Sequence, residues 1–405
     1  MPTALRALTR DGWLLVLTRC IRLFAYGSLS VVLVLYLTDL GFTTSQTGGL
    51  LALTLAGDTA VSLFLTTRAD RFGRRRMLIV GAALMAAAGF VFASTRDVFW
   101  LVAAATIGVI SPSGGEVGPF LSIEQASLAH VVPGSARTVI LAWYTMAGAL
   151  ATAGGALFGG TLAQLSGSYR GVVLLYAILG IVAAVVFTRL SPAVEVGPVG
   201  ARAAHGLSPS SRKVVLKLSS LFALDAFAGG FVVQSFAAYW FHVRFGADPA
   251  ALGGIFFGAN LLAGVSALLA SRLATQWGLV RTMVFTHLPS NLLLILVPLM
   301  PTYSLAIVVL LLRFSISQMD VPTRQSYTIA VVNPEERSAA AGITGVARTT
   351  GAAVAPLFAG FLYASGPLAS VPFYLAGTLK IVYDLLLYRG FVSLRPPEER
   401  ASQRD

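Results

Sequence analysis

Charged side chains are scarce in this chain of 405 residues: Asp, Glu, Lys and Arg make up 11% of it, where a soluble domain carries about a quarter. So little polar side chain cannot cover a surface that faces water. With 56% hydrophobic residues and a mean hydropathy of +0.78, a water-soluble globule is excluded. Cysteine is limited to Cys20, which excludes an intramolecular disulfide. Only four histidines are present, and no His/Cys/Asp cluster or nucleophile–base motif accompanies them. That argues against a resident metal, a cofactor and an enzyme. The chain also lacks a Gly-x-x-x-x-Gly-Lys-[Ser/Thr] loop and any polar segment large enough to hold a nucleotide, so ATP is not expected to drive its work. A cleavable signal is not expected either, because the polar stretch Met1–Asp11 leads straight into a full-length apolar run.

Long apolar runs are what the chain has in quantity. Windows of about 20 residues, the length that crosses a bilayer as a helix, place spans near 12–38, 47–67, 77–95, 98–122, 138–163, 171–189, 218–242, 250–271, 282–300, 303–323, 338–363 and 370–389. The expectation is an all-α membrane protein of twelve transmembrane helices. The net charge of +12 would suit a nucleic-acid partner, yet its distribution points elsewhere. Of the 29 Lys and Arg residues, 21 lie in the termini or in loops that alternate onto one side. Three (Arg96, Arg170, Arg244) lie on the other side, and five (Arg19, Arg22, Arg313, Arg348, Lys380) lie inside spans. This is the positive-inside bias; it puts both termini in the cytoplasm and leaves nucleic acid without a role.

The longest loop, Ser191–Lys217, is rich in Pro, Gly, Ser and Ala and reads as a cytoplasmic linker. It divides the chain into a six-helix bundle at 1–190, the linker at 191–217 and a second six-helix bundle with a short tail at 218–405. An internal repeat supports the division. A shift of 200 residues lays Glu124-Gln125 over Arg324-Gln325, and Ser135-Ala136-Arg137-Thr138 over Glu335-Glu336-Arg337-Ser338. A shift of 205 lays Ala69-Asp70-Arg71-Phe72-Gly73-Arg74-Arg75-Arg76 over Ala274-Thr275-Gln276-Trp277-Gly278-Leu279-Val280-Arg281, where the glycine and the last arginine persist.

The first of those loops resembles the signature between helices 2 and 3 of the major facilitator superfamily, roughly G-x-x-x-D-R-x-G-R-[RK]. Asp70 to Arg75 match it, and Thr66 stands where its first glycine is expected. The resemblance covers the whole chain through length, helix count, loop and repeat, and it implies two pseudo-symmetric six-helix bundles. It also implies a gate. Asp70 is expected to face the N-terminus of helix 11, while Arg71 and Arg74, around Gly73, pair with an acid at the end of helix 4. Glu124 occupies that place, and Arg137 is positioned to join the cluster. A glycine-rich helix 5 (Gly148, Gly154, Gly155, Gly159, Gly160) and helix 11 (Gly345, Gly351, Gly360) suit close helix packing.

Ionisable groups at membrane depth are costly and so mark function. The resemblance implies that helices 1, 4, 7 and 10 line a central cavity, and all four carry charge: Arg22, Glu116, Asp225, and Arg313 with Asp320. Counting about 1.5 Å per residue puts Arg22, Asp58, Arg313 and Arg348 near the midplane. Three positive charges against one negative predict an anionic cargo held by Arg22, Arg313 and Arg348, with Tyr26 on the face of Arg22. Asp58, Glu116 and Asp225 are the candidate proton carriers. The stretch Ser111-Pro112-Ser113-Gly114-Gly115-Glu116-Val117-Gly118-Pro119 is not expected to stay helical. On helix 12, Lys380 and Asp384 stand four apart and are expected to neutralise each other.

The expected activity is secondary transport of a small organic solute, proton-coupled, with export ahead of uptake and an anionic cargo. Its competitors are an uptake symporter for a carboxylate metabolite and a non-transporting receptor on the same scaffold. The expected setting is the bacterial inner membrane, as a multi-pass monomer whose partners are its solute, its coupling ion and lipid.

Overall fold

The computed structural model describes residues 8–133, 137–195 and 207–394, and among them all regular structure is helical. In chain order the α-helices are α1 (Arg10–Asp39), α2 (Thr44–Phe72), α3 (Arg74–Ser94), α4 (Val98–Ile107), α5 (Phe120–Val131), α6 (Arg137–Ser166), α7 (Arg170–Phe187), α8 (Pro209–Gly230), α9 (Gln234–Phe245), α10 (Pro249–Trp277), α11 (Leu279–Leu296), α12 (Tyr303–Phe314), α13 (Asp320–Ala330), α14 (Arg337–Ala364) and α15 (Val371–Phe391). Side chains supply the starts. The Thr9 hydroxyl accepts from the Gly12 amide, Thr43 and Gln46 form a capping box, and Asp97 accepts from the Phe99 and Trp100 amides. Between α2 and α3, Gly73 turns the chain at φ 99°, and between α10 and α11 its repeat partner Gly278 does so at φ 84°. A side chain is strained in that region, which accounts for the glycine surviving in both copies after most of the loop's charges were lost.

Ten helical stretches among the described residues are long and apolar enough to cross a membrane, with α8 and α9 joined as one of them. Two further elements fall where the fourth and tenth spans were expected. Both are broken: α4 and α5 are separated by 108–119, and α12 and α13 by 315–319. The first break was legible in its Pro and Gly residues. The second corrects the expectation of one continuous helix over 303–323, and a third break, at 231–233, divides the span expected over 218–242.

The chain forms two compact units, one of Met1–Gly200 with Val233–Asn260, the other of Ala201–Val232 with Leu261–Asp405. Residues 233–260 pack into the first unit. There, Gln234 Nε2 donates to Ser30 Oγ at 2.8 Å, and the amide and hydroxyl of Ser235 donate to the Pro112 carbonyl at 3.1 and 2.6 Å. Small residues set the helix spacing in each unit. A Cβ on Gly155 of α6 would collide with the Phe24 carbonyl of α1, and one on Gly351 of α14 with the Ala223 carbonyl of α8. Large apolar side chains such as Phe99, Leu165 and Phe361 point outward, as a lipid-facing surface requires. Residues 196–206 of the expected linker and 395–405 of the expected tail lie outside the described residues.

Candidate functional site

In the first unit, the break between α4 and α5 carries three side chains to α1. Arg22 is fully buried; it donates through Nη1 to Glu116 Oε1, and through Nη2 to Glu124 Oε2 at 2.6 Å. Arg19, one turn earlier, reaches Glu116 Oε2 at 2.8 Å. Glu124, from α5, also accepts from Thr18 Oγ1 at 2.9 Å and from the Tyr144 hydroxyl of α6. Both guanidiniums lie over rings: Arg22 is 4.0 Å from the centroid of Phe120, and Arg19 is 4.2 Å from that of Tyr144. Two cations and two acids thus close a neutral, nearly dry cluster. Arg22 and Tyr26, expected to contact cargo, are both sealed here at 0% exposure. Asp58 on α2 stands apart from this cluster. Its Oδ1 accepts from the Gly118 amide at 2.6 Å, and no cation lies within 4.0 Å of it among the described residues.

The second unit builds a comparable cluster from α8, α11, α13 and α15. Asp225 receives Lys380 Nζ on Oδ1 and Arg324 Nη1 on Oδ2 at 3.2 Å, with His287 Nε2 at 3.8 Å from Oδ1. Arg324 Nη1 also reaches Asp320 Oδ2 at 2.8 Å. Asp384 lies 2.9 Å from His287 Nδ1 and accepts from Asn291 Nδ2 at 2.9 Å. Lys380 therefore serves Asp225 rather than Asp384, because a partner on another helix outcompetes the neighbour one turn away. Arg313 and Arg348 differ from these cations: among the described residues neither has an acid within 4.0 Å. Arg313 lies 4.8 Å from the centroid of the Phe314 ring, and its buried Nε has no hydrogen-bond partner. The acids that act on both arginines electrostatically are Asp225 and Asp320, already engaged by Lys380 and Arg324.

The two clusters are related by the repeat, with their signs exchanged. Arg22 and Glu124 join α1 to α5, and Asp225 and Arg324 join α8 to α13 at offsets of 203 and 200 residues. The overlay of Glu124 on Arg324 was visible in the sequence. The reversal that goes with it on the partner helix was the signal that would have located both pairs.

The signature loop departs from its expected pairing. Arg74 Nε donates to Asp70 Oδ1 at 2.9 Å, Arg71 is exposed, and Glu124 is consumed by Arg22, Thr18 and Tyr144, so it is not the partner of Arg71 or Arg74. Arg137 stands exposed at the start of α6. The acid that does meet the loop is Glu195, which sequence reasoning passed over. Its carboxylate accepts from the Arg74 amide at 2.6 Å and the Arg75 amide at 3.1 Å, capping the N-terminus of α3 directly after Gly73. The strand of chain before it is fastened as well. Arg75 Nη1 donates to the Leu190 carbonyl at 3.2 Å, the Ser191 amide donates to Asp11 Oδ1 at 3.0 Å, and Val194 is fully buried.

Membrane-crossing helices in a repeated pattern, with broken fourth and tenth elements and charge clusters at depth, define a polytopic transporter fold. The chain belongs to the Major Facilitator Superfamily, whose family model matches residues 15–319 and 226–405. It is 32% identical over 426 positions to the uncharacterized membrane protein YJR124C of Saccharomyces cerevisiae, covering 95% of each chain. Among solved structures, it is similar to the nucleoside transporter NupG (TM-score 0.71, 12% identity, 95% of this chain and 99% of that one). It is also similar to a bacterial homolog of the human lysosomal transporter Spinster in an inward-facing, occupied conformation (TM-score 0.73, 15%, 95% and 97%). A third is the human organic anion transporter MFSD10 (TM-score 0.65, 17%, 96% and 100%). At these identities the likeness is one of fold. Family and neighbours point to a multi-pass membrane transporter rather than an enzyme.

Proposed function

We propose that this protein is a secondary transporter that moves a small organic anion across the plasma membrane by alternating access, with a proton as the coupling ion. The observation that carries the anionic cargo is the pair Arg313 and Arg348, which among the described residues have no acid within 4.0 Å while Arg324 and Lys380 are paired. An unpaired guanidinium at membrane depth costs several kcal/mol. Two of them in one unit call for an external counter-charge, and a carboxylate, sulfonate or phosphate suits the arginine fork. Arg22 is assigned to structure instead, because both of its acids are already in place.

Asp58 is the proposed proton carrier. Glu116 and Asp225 are each held by two cations, so neutralising either would strand its partners. Asp58 can gain and lose a proton without stranding any. The anion leaves the cytoplasm in this scheme; uptake is the competing direction, and inside-out against right-side-out vesicles separate the two.

The test is a ligand-stabilisation screen on the purified protein over carboxylates, sulfonates, phosphates and organic cations, repeated with Arg313→Lys and Arg348→Lys. Anions should stabilise wild type, and each lysine variant should lose about 1–3 kcal/mol of affinity with the lost fork. Stabilisation by cations alone, or unchanged affinity in both variants, would overturn the assignment. For the proton, Asp58→Asn should abolish pH-driven accumulation in proteoliposomes while sparing exchange of cargo for cargo.

A further inference from the structure

Positive charge is sparse on the face opposite the signature loop, where Arg96, Arg170 and Arg244 are the basic residues of the loops. Two of these three line one cavity of about 200 Å³ in the first unit, together with Tyr36, Asp39, Thr95 and Ser168. It lies where the end of α1, the end of α3 and the start of α7 meet. A bias that strips basic residues from this face makes the convergence of two exceptions informative.

Two guanidiniums and two hydroxyls converge on this cavity. Thr95 Oγ1 accepts from the Asp97 amide at 3.0 Å, and Ser168 Oγ accepts from the Arg170 amide at 3.2 Å, so both hydroxyl protons remain available to a ligand. Asp97 is turned to capping α4, through the Phe99 and Trp100 amides at 2.9 and 3.3 Å. Neither Arg96 nor Arg170 has an acid within 4.0 Å among the described residues. Among the residues that line it, two guanidiniums against the carboxylate of Asp39 leave one net positive charge, which matches a singly charged phosphodiester. The volume is below the ~300–1,000 Å³ of sites for drug-sized ligands, so it suits a small anionic group.

The surroundings favour a lipid source for that group. Phe99 and Trp100, three and four residues after Arg96, are 71% and 58% exposed. The ring of Trp100, apolar with one polar N–H, suits the headgroup level of a bilayer, and Phe99 suits the lipid beside it. We propose that this cavity is a phosphate-binding site that holds the headgroup of an anionic phospholipid at the membrane surface opposite the signature loop. It stands apart from the ionisable clusters assigned to transport.

The test uses the full-length protein in detergent, with phosphatidylglycerol, phosphatidylcholine or inorganic phosphate added, and reads thermal unfolding and lipid retained in native mass spectrometry. Phosphatidylglycerol should stabilise wild type and be retained at least about tenfold more than in Arg96→Gln/Arg170→Gln, a loss equivalent to ~1.4 kcal/mol. Arg244→Gln, on the same face but outside the cavity, should behave as wild type. The single variants Arg96→Gln and Arg170→Gln, each at an exposed position, should show intermediate losses and keep the test open should the double variant express poorly. Protection by inorganic phosphate that disappears in the double variant would support the phosphate site and assign its source to solution. Equal retention of phosphatidylglycerol by wild type and double variant, or an equal loss in Arg244→Gln, would overturn the proposal.

Discussion

Removing one member of the buried pair Arg22–Glu124 should cost far more than the pair is worth, and that excess can be measured. Both side chains have 0% exposure, and Glu124 is met by Arg22 Nη2 at 2.6 Å, Thr18 Oγ1 at 2.9 Å and the Tyr144 hydroxyl. Breaking a buried ion pair typically costs about 3–5 kcal/mol, because one charge is left without its counter-charge. Glu124→Gln belongs at the low end, about 3 kcal/mol, since Arg22 keeps Glu116. Arg22→Gln should cost a similar amount, because Glu124 keeps only hydroxyl donors and Glu116 keeps only Arg19. The double variant removes both stranded charges while the Arg19–Glu116 pair remains. Its cost should therefore stay near 3 kcal/mol instead of the ~6 that independent sites would give, a coupling of about 2–3 kcal/mol. The assay is unfolding of the four proteins in mixed micelles, followed by tryptophan fluorescence. Additivity within about 0.5 kcal/mol would refute the reasoning, since the two residues would then be acting separately.

Three further outcomes are expected. Gly155→Ala should depress the yield of folded protein because its Cβ collides with the Phe24 carbonyl, whereas Gly154→Ala, whose nearest neighbour is a Phe24 ring carbon at 3.9 Å, should be tolerated; size-exclusion profiles compare them. Glu195→Ala should cost about 1–2 kcal/mol as a lost charged cap and raise hydrogen exchange at the start of α3, with Glu195→Gln intermediate. Glu336, before α14, is held at a pKa of about 2 by the Ser211 hydroxyl and the Ser208 amide. Its unfolded value is near ~4.3, so its contribution is complete above that value and is lost as pH falls toward 2. Glu336→Gln should flatten this part of the stability–pH curve.

What the sequence made legible follows from what side chains announce locally. Apolar length marked the spans, and Pro112, Gly114, Gly115 and Gly118 marked the break before α5. Gly73 and Gly278 marked two turns that need positive φ. The break at 315–319 went unseen because Ser315-Ile316-Ser317-Gln318-Met319 has neither proline nor glycine. Only its position in the repeat, opposite 108–119, betrays it. Ion-pair partners were hidden for a different reason. Spacing along one helix suggested Lys380 with Asp384, yet burial makes every polar group compete for the best available partner, and Asp225 on α8 is nearer to Lys380 in space than in sequence. Depth counting placed Arg22 and Arg313 alike, and it carries no information on which of them has an acid waiting.

The repeat explains why one cluster is closed and the other open, and it suggests how to close the second. At an offset of 200, Arg348 falls on Gly148, the residue over which the Arg19 side chain lies, so a cation occupies comparable ground in both units. Arg19 comes from α1 and meets Glu116 at 2.8 Å; Arg348 comes from α14 and among the described residues meets no acid within 4.0 Å. The position equivalent to Glu116 is Ile316, in the break between α12 and α13 and directly after the turn that holds Arg313. The second unit thus has no carboxylate at the position from which Glu116 meets Arg19 and Arg22 in the first. Ile316→Glu should restore it: Arg313 or Arg348 would gain an internal partner, and a cargo anion would have to displace that partner before binding. Affinity for the best anion of the ligand screen should fall at least about tenfold, or ~1.4 kcal/mol, while Ile316→Gln, similar in size but neutral, should bind nearly as wild type. Thermal unfolding without ligand should show Ile316→Glu no less stable than Ile316→Gln, since the new charge finds cations in place. If the glutamate variant binds the anion as tightly as the glutamine variant, the two arginines do not form the cargo site, and the asymmetry between the repeats serves another purpose.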